Sequence, residues 1–144
     1  MPRAEDISEI VTAAHALTRL AALRTKNEVP TAQWRALSVL VTEGPLRLGE
    51  LAVRTRTTQP GMTKLIGQMA DAGLVSRQRD ASDSRASVIS ITPHGQEELA
   101  AWRVELRDAL APLFADLDDD DWAVLSRAAG ILSSRITNPQ GATA

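Results

Sequence analysis

The sequence predicts a mainly α-helical chain carrying one small two-stranded β element. Three observations carry that expectation. Apolar residues recur at helical spacing through six segments. Two short β-prone runs, about 74–79 and 86–92, flank a polar tip at 80–85. Pro30, Gly44-Pro45, Gly73 and Pro93 punctuate these segments where helices should begin or end.

The segments follow in order. Over residues 5–26, Ile7, Ile10, Val11, Ala14, Leu17 and Ala21 form a narrow stripe that needs a partner to cover it. Thr31 is a candidate N-cap for a second helix reaching about Glu43, with Trp34, Leu37, Leu40 and Val41 inward. A short helix over about 47–54 presents Leu48, Leu51 and Ala52. Arg54-Thr55-Arg56-Thr57-Thr58 reads as a turn. Thr58 then caps a helix over 58–72, in which Pro60 loses nothing near the first turn and Met62, Leu65, Ile66 and Met69 face the core. Gly73 closes it with a glycine free to take positive φ. After the hairpin, Thr92-Pro93 starts a helix over 93–115 with Leu99, Trp102, Leu106 and Leu113 inward. The last helix spans 118–137, its acidic start Asp118–Asp121 matching a capping turn at the positive end of the helix dipole rather than a calcium loop. The tail, 138–144, reads as frayed.

A basic hairpin placed directly after a helix–turn–helix is a winged helix, and the usual partner of a winged helix is duplex DNA. The polar face of the 58–72 helix, with Gln59, Gly61, Thr63 and Lys64, suits the major groove, where amide and hydroxyl groups read base edges and a lysine holds phosphate or guanine. The turn adds Arg54, Arg56, Thr57 and Thr58. The hairpin adds Arg77, Arg79 and Arg85, and an arginine at its tip can enter a narrow minor groove. Asp83 is placed to brace that tip or to pair with an arginine at its base.

Charge is distributed to match. The 144-residue chain has net charge −2. Residues 1–43 are neutral, 44–95 carry +3 and 96–144 carry −5, so the cationic surface is confined to the middle. The absence of cysteine removes disulfides, thiolate zinc sites, cysteine nucleophiles and thiol redox sensing. His15 and His94 alone make a poor zinc site, and no metal or cofactor is expected. No phosphate loop, nucleophile elbow or metalloprotease motif is present, so an enzyme is not expected. Neither a signal-peptide h-region nor an apolar run of membrane-spanning length is seen, and the expected location is the cytoplasm.

Several short matches together resemble one family. They are Trp34-Arg35-Ala36-Leu37, Leu51-Ala52, Thr58 to Ile66, Gly73-Leu74-Val75-Ser76-Arg77, Asp83-Ser84-Arg85 and Ile91-Thr92-Pro93-His94-Gly95. At this mutual spacing the chain resembles the MarR family of bacterial transcription regulators. The resemblance implies a dimer, with residues 1–30 and 96–137 as dimerisation helices around a DNA-binding domain at 31–95. It also implies that the 58–72 helix is the recognition helix and that Arg85, supported by Asp83, is the minor-groove arginine. Gly61 departs from a stronger helix former and could allow close backbone approach to DNA. Many relatives lose DNA affinity when a small, often aromatic or phenolic, molecule binds between the DNA-binding lobe and the dimer helices. Trp34 and Trp102 are then the candidates to line such a pocket. Two rivals stand beside this reading: a winged-helix protein–protein module that never touches DNA, and a metal-responsive repressor.

Overall fold

In the computed structural model, which describes residues 3–26 and 29–137, the elements run α1 (Ala4–Arg24), α2 (Thr31–Glu43), β1 (Leu46–Arg47), α3 (Leu48–Arg54), α4 (Gln59–Asp71), β2 (Val75–Arg79), β3 (Ser87–Ile91), α5 (Pro93–Leu110) and α6 (Asp119–Thr137). A 3-10 turn, Ala111–Phe114, follows α5. The chain divides into two compact units, residues 1–109 and 110–144.

The first unit holds the core. Leu37, Leu40, Leu51, Met62, Ile66, Met69, Ile89 and Leu99 are fully buried there, drawn from α2, α3, α4, β3 and α5. Burying one such side chain stabilises by about 1.5–3 kcal/mol, so the four apolar positions of α4 hold that helix by its inner face. Its outer face is left to polar residues. The sheet has three strands in the order β1-β3-β2, all antiparallel. β2 and β3 are the expected hairpin, in register from Val75 opposite Ile91 to Arg79 opposite Ser87. The third strand is new relative to the sequence reading: Leu46 and Arg47 pair with Ile89 and Val88 on the far edge of β3. Arg47 is therefore a strand residue and the N-cap of α3, not its first helical residue.

Local chemistry explains the helix ends. At α4, Thr58 Oγ1 accepts from the Gly61 N–H at 3.2 Å, as a capping threonine should. At α2, Pro30 rather than Thr31 holds the cap position, its ring fixing φ at −57°, and it makes no side-chain cap. The helix expected to run to residue 115 ends at Leu110, because Pro112 has no N–H to continue it and falls in the 3-10 turn. Asp118 Oδ1 accepts from the Asp121 N–H at 2.8 Å, which makes the acidic run the start of α6. Residues 138–144, expected to fray, lie outside the described residues. No described helix is long and apolar enough to cross a membrane.

One junction sets the course of the chain after α4. Gly73 has φ +76°, and the Leu74 and Gly73 N–H groups donate back to Met69 O (2.9 Å) and Ala70 O (3.0 Å), closing the helix in a Schellman motif. The Leu74 carbonyl then accepts from Thr92 N–H at 3.0 Å, and Thr92 Oγ1 donates to Gly73 O at 2.5 Å. Gly95 lies so close that a Cβ there would stand 2.1 Å from Leu74 O. Gly95→Ala must push backbone against backbone, and a loss of about 2–3 kcal/mol is expected, read as a lower urea midpoint with an unchanged slope.

Candidate nucleic-acid interface

The turn between α3 and α4 is built from threonines. Thr55 is buried, 1% exposed, and its hydroxyl donates to Leu51 O at 2.8 Å. Arg35 of α2 reaches across to donate to Thr55 O at 3.3 Å. Thr57 N–H donates to Ala52 O (2.9 Å) and Arg56 N–H to Val53 O (3.2 Å), the same Schellman closure that ends α4. Here, however, the left-handed position is Arg56, with φ +54°, where α4 has a glycine. An L-residue in that conformation costs about 1–2 kcal/mol, and such strain is often kept where the side chain has a task.

α4 offers Gln59, Gly61, Thr63 and Lys64 on its exposed face. Thr63 Oγ1 donates to Gln59 O at 2.9 Å, so its hydroxyl proton is engaged while its oxygen can still accept. Gly61 has a local reason to be glycine: a Cβ would lie 2.9 Å from Thr58 Oγ1, on the capping hydroxyl itself.

The wing tip is held by two aspartates with different tasks. Asp83 Oδ1 accepts from the Arg85 backbone N–H at 3.0 Å, and Ala86 N–H donates to Asp83 O at 3.0 Å. Asp83 thus shapes the turn that carries Arg85, and it makes no ion pair with any arginine among the described residues. Asp80 takes the ion pair instead. Its Oδ1 accepts from the Ser82 N–H and hydroxyl, both at 3.0 Å, and its Oδ2 meets the Arg47 guanidinium. The Ser82 hydrogen bonds, and then Arg47, hold the Asp80 carboxyl below its usual range. Arg47 also donates to Ser82 Oγ at 3.2 Å. Arg47 did not stand out in the sequence, and Asp80 stood out only as one of two acidic residues at the tip.

Of the residues singled out from sequence, Gln59, Asp83 and Arg85 line one open cleft of about 420 Å³, together with Arg47, Glu50 and Ser87. Arg56, Lys64, Arg77, Arg79 and Arg85 are exposed and form no ion pair among the described residues. Arg54 is different, because its Nε donates to Glu43 Oε1 at 2.9 Å, and that carboxylate raises its pKa. The Thr57 and Thr58 hydroxyls are used in the turn and the cap. Trp34 and Trp102 stack with ring centroids 5.0 Å apart and planes 12° apart. They border a small cavity of about 50 Å³ that Thr18, Thr25, Thr31 and Leu106 also line. No three His, Asp or Glu side chains among the described residues are placed to share a metal ion.

Comparison with known proteins places this geometry among regulators. A profile of the MarR family matches residues 28–86. An HTH-type transcriptional regulator of Mycobacterium tuberculosis is 34% identical over 104 residues, covering 72% of this chain and 73% of the relative. A MarR family protein from Bacillus stearothermophilus superposes with a TM-score of 0.67 at 25% identity, over 93% of this chain and 94% of that one. The PcaV transcriptional regulator from Streptomyces coelicolor, in complex with its natural ligand, shares the fold with a TM-score of 0.59 at 21% identity, over 89% of both chains.

The cap geometry makes a coupled prediction. Thr58→Ala should cost about 1 kcal/mol. Gly61→Ala should be nearly neutral in the parent, because the gain in helix propensity is offset by the displaced cap. In the Thr58→Ala background, where no hydroxyl remains to be displaced, it should stabilise by about 0.5–1 kcal/mol. Denaturant melts of the four proteins measure the coupling.

Proposed function

Because this chain belongs to the MarR family of winged helix–turn–helix transcription regulators, a DNA-binding and non-enzymatic class, we propose that it is a repressor. It holds a pseudo-palindromic operator as a homodimer in the cytoplasm and releases it when a small molecule binds. The observation that carries this reading is the shared cleft, in which Gln59 from the start of α4 and Arg85 from the wing line one surface. A helix face in the major groove and an arginine in the adjoining minor groove are the two contacts such a surface makes. Arg56, Lys64, Arg77 and Arg79 add cations for phosphates that form no ion pair among the described residues. That supply of free charge favours DNA over the protein–protein alternative despite the net charge of −2. The strained backbone at Arg56 fits the same role, since glycine would relax the turn but carry no charge.

Each unit leaves apolar side chains uncovered. In the first, Ile7, Ile10 and Val11 of α1 are exposed. In the second, Trp122, Val124, Leu125, Ile131, Leu132 and Ile136 of α6 are exposed. A second copy would bury both sets and would set two recognition helices on successive major grooves, about 34 Å apart. The cavity beside Trp34 and Trp102 is the place we assign to an effector, and the PcaV regulator, which shares the fold, is a relative solved with a natural ligand bound. Its 50 Å³ is too small for a whole aromatic ring, so an aromatic or phenolic effector must widen it. Such a ligand acts only if it prefers one spacing of the recognition helices over another.

Binding to operator DNA, selected in vitro with the full-length protein and titrated against salt, is the direct test. Tight, competitor-resistant binding with a steep negative salt slope is expected. Arg85→Ala should weaken it by about 1–3 kcal/mol without changing the melting temperature. Unchanged affinity in that variant would remove the wing from the contact, and failure to select any sequence would favour the protein–protein alternative. Dimerisation has its own check: Leu125→Arg with Ile131→Asp on α6 should shift the sedimentation coefficient to that of a monomer and abolish high-affinity operator binding.

A further inference from the structure

Arg47 lies on the edge of the sheet opposite the strand that leads into the wing. The order β1-β3-β2 puts β3 between them, and the register aligns Arg47 with Val88 and Val88 with Gln78. Directly paired residues share a face, which puts Arg47, Val88 and Gln78 together, and the position two residues beyond Gln78 is Asp80. The Arg47 side chain therefore crosses β3 and closes on Asp80 Oδ2 and Ser82 Oγ at the base of the wing tip. At its other end the same residue is tied to the helix–turn–helix, for its backbone N–H donates to Glu50 Oε1 at 3.1 Å in the first turn of α3. The Asp80 side chain is only 16% exposed, and its second oxygen is taken by the Ser82 N–H and hydroxyl. Beyond this clamp, the tip is held to the hairpin by Asp80 N–H donating to Ala86 O at 3.0 Å and by its own local turns.

We propose that Arg47 is a positioning residue for DNA binding, a brace that fixes the wing tip, and with it Arg85, relative to the helix–turn–helix. The inference rests on the reading of Arg85 as a DNA contact. A braced tip presents its arginine at one distance from Gln59 across the cleft, whereas an unbraced hairpin must be ordered when DNA arrives, and that ordering lowers affinity. Arg47 is not itself a phosphate contact on this account, because its charge is already matched by Asp80.

The sign of one charge change separates brace from electrostatics. Asp80→Asn removes a negative charge from a DNA-facing element. If only charge mattered it would tighten binding, whereas loss of the brace weakens it. The measurement is operator affinity of the full-length protein, on the duplex selected above, for Arg47→Ala, Asp80→Asn, Arg85→Ala and the double variant Arg47→Ala/Arg85→Ala, with a melting curve for each. Arg47→Ala and Asp80→Asn are both expected to weaken binding, by about tenfold, at unchanged melting temperature. The double variant should bind no more weakly than Arg85→Ala alone, and Arg47→Lys should recover part of the loss. Additive losses in the double variant, or tighter binding by Asp80→Asn, would overturn the proposal and make Arg47 an ordinary cation. Arg85→Ala without effect would instead mean that the wing is not a contact, which is the failure of the underlying reading.

Discussion

Everything past α4 depends on one carbonyl group. Leu74 O accepts from Thr92 N–H, beside the bond from Thr92 Oγ1 to Gly73 O, and Gly95 is the residue small enough to lie against it. Three elements meet at this point: the end of α4, the base of the β2–β3 hairpin and the first turn of α5. Gly95 N–H donates back to Thr92 Oγ1 at 3.0 Å, so one threonine both caps the new helix and clamps the old one. The direction of the wing relative to α4 follows from that clamp. The short Gly73, Thr92 and Gly95 signature has a steric basis here, since two positions need absent or minimal side chains and the third needs a hydroxyl.

The helix–turn–helix shows a contrast in how two neighbouring helices end. Both α3 and α4 close with the same pair of backward hydrogen bonds, yet α4 uses Gly73 at the left-handed position and α3 uses Arg56. The cost of placing arginine there is borne by the surrounding turn, where buried Thr55 and the Arg35 guanidinium fix the backbone from two sides. A conformation that strained persists because its neighbours leave no alternative. The side chain it presents is exposed and unpaired among the described residues, at the entrance to α4.

The helical plan was legible from local signals that the structure repeats. The Thr58 cap, the Gly73 closure, the four core positions of α4 and the acidic start at Asp118 each depend on residues within one or two turns. What escaped was long-range. Leu46 and Arg47 are too short to show a period, and they become a strand only because β3 is folded beside them. Asp80 and Asp83 look alike in sequence, and which one takes a guanidinium is decided by Arg47, more than thirty residues away. Arg54 read as a free cation because its partner Glu43 belongs to the preceding helix. Gly61 suggested close approach to a ligand, while its immediate neighbour in space is the Thr58 hydroxyl.

The stacked indoles of Trp34 and Trp102 have an optical consequence. The chain contains three tryptophans, one phenylalanine and no tyrosine. Two of those three chromophores lie nearly parallel at 5.0 Å, close enough for their transitions to couple, while Trp122 sits half-exposed against Phe114 at 5.9 Å. The near-ultraviolet circular dichroism of this protein is therefore weighted toward this one stacking contact between α2 and α5. Any event that parts those helices, whether a ligand, a mutation or the approach of melting, writes itself into that signal without an added label.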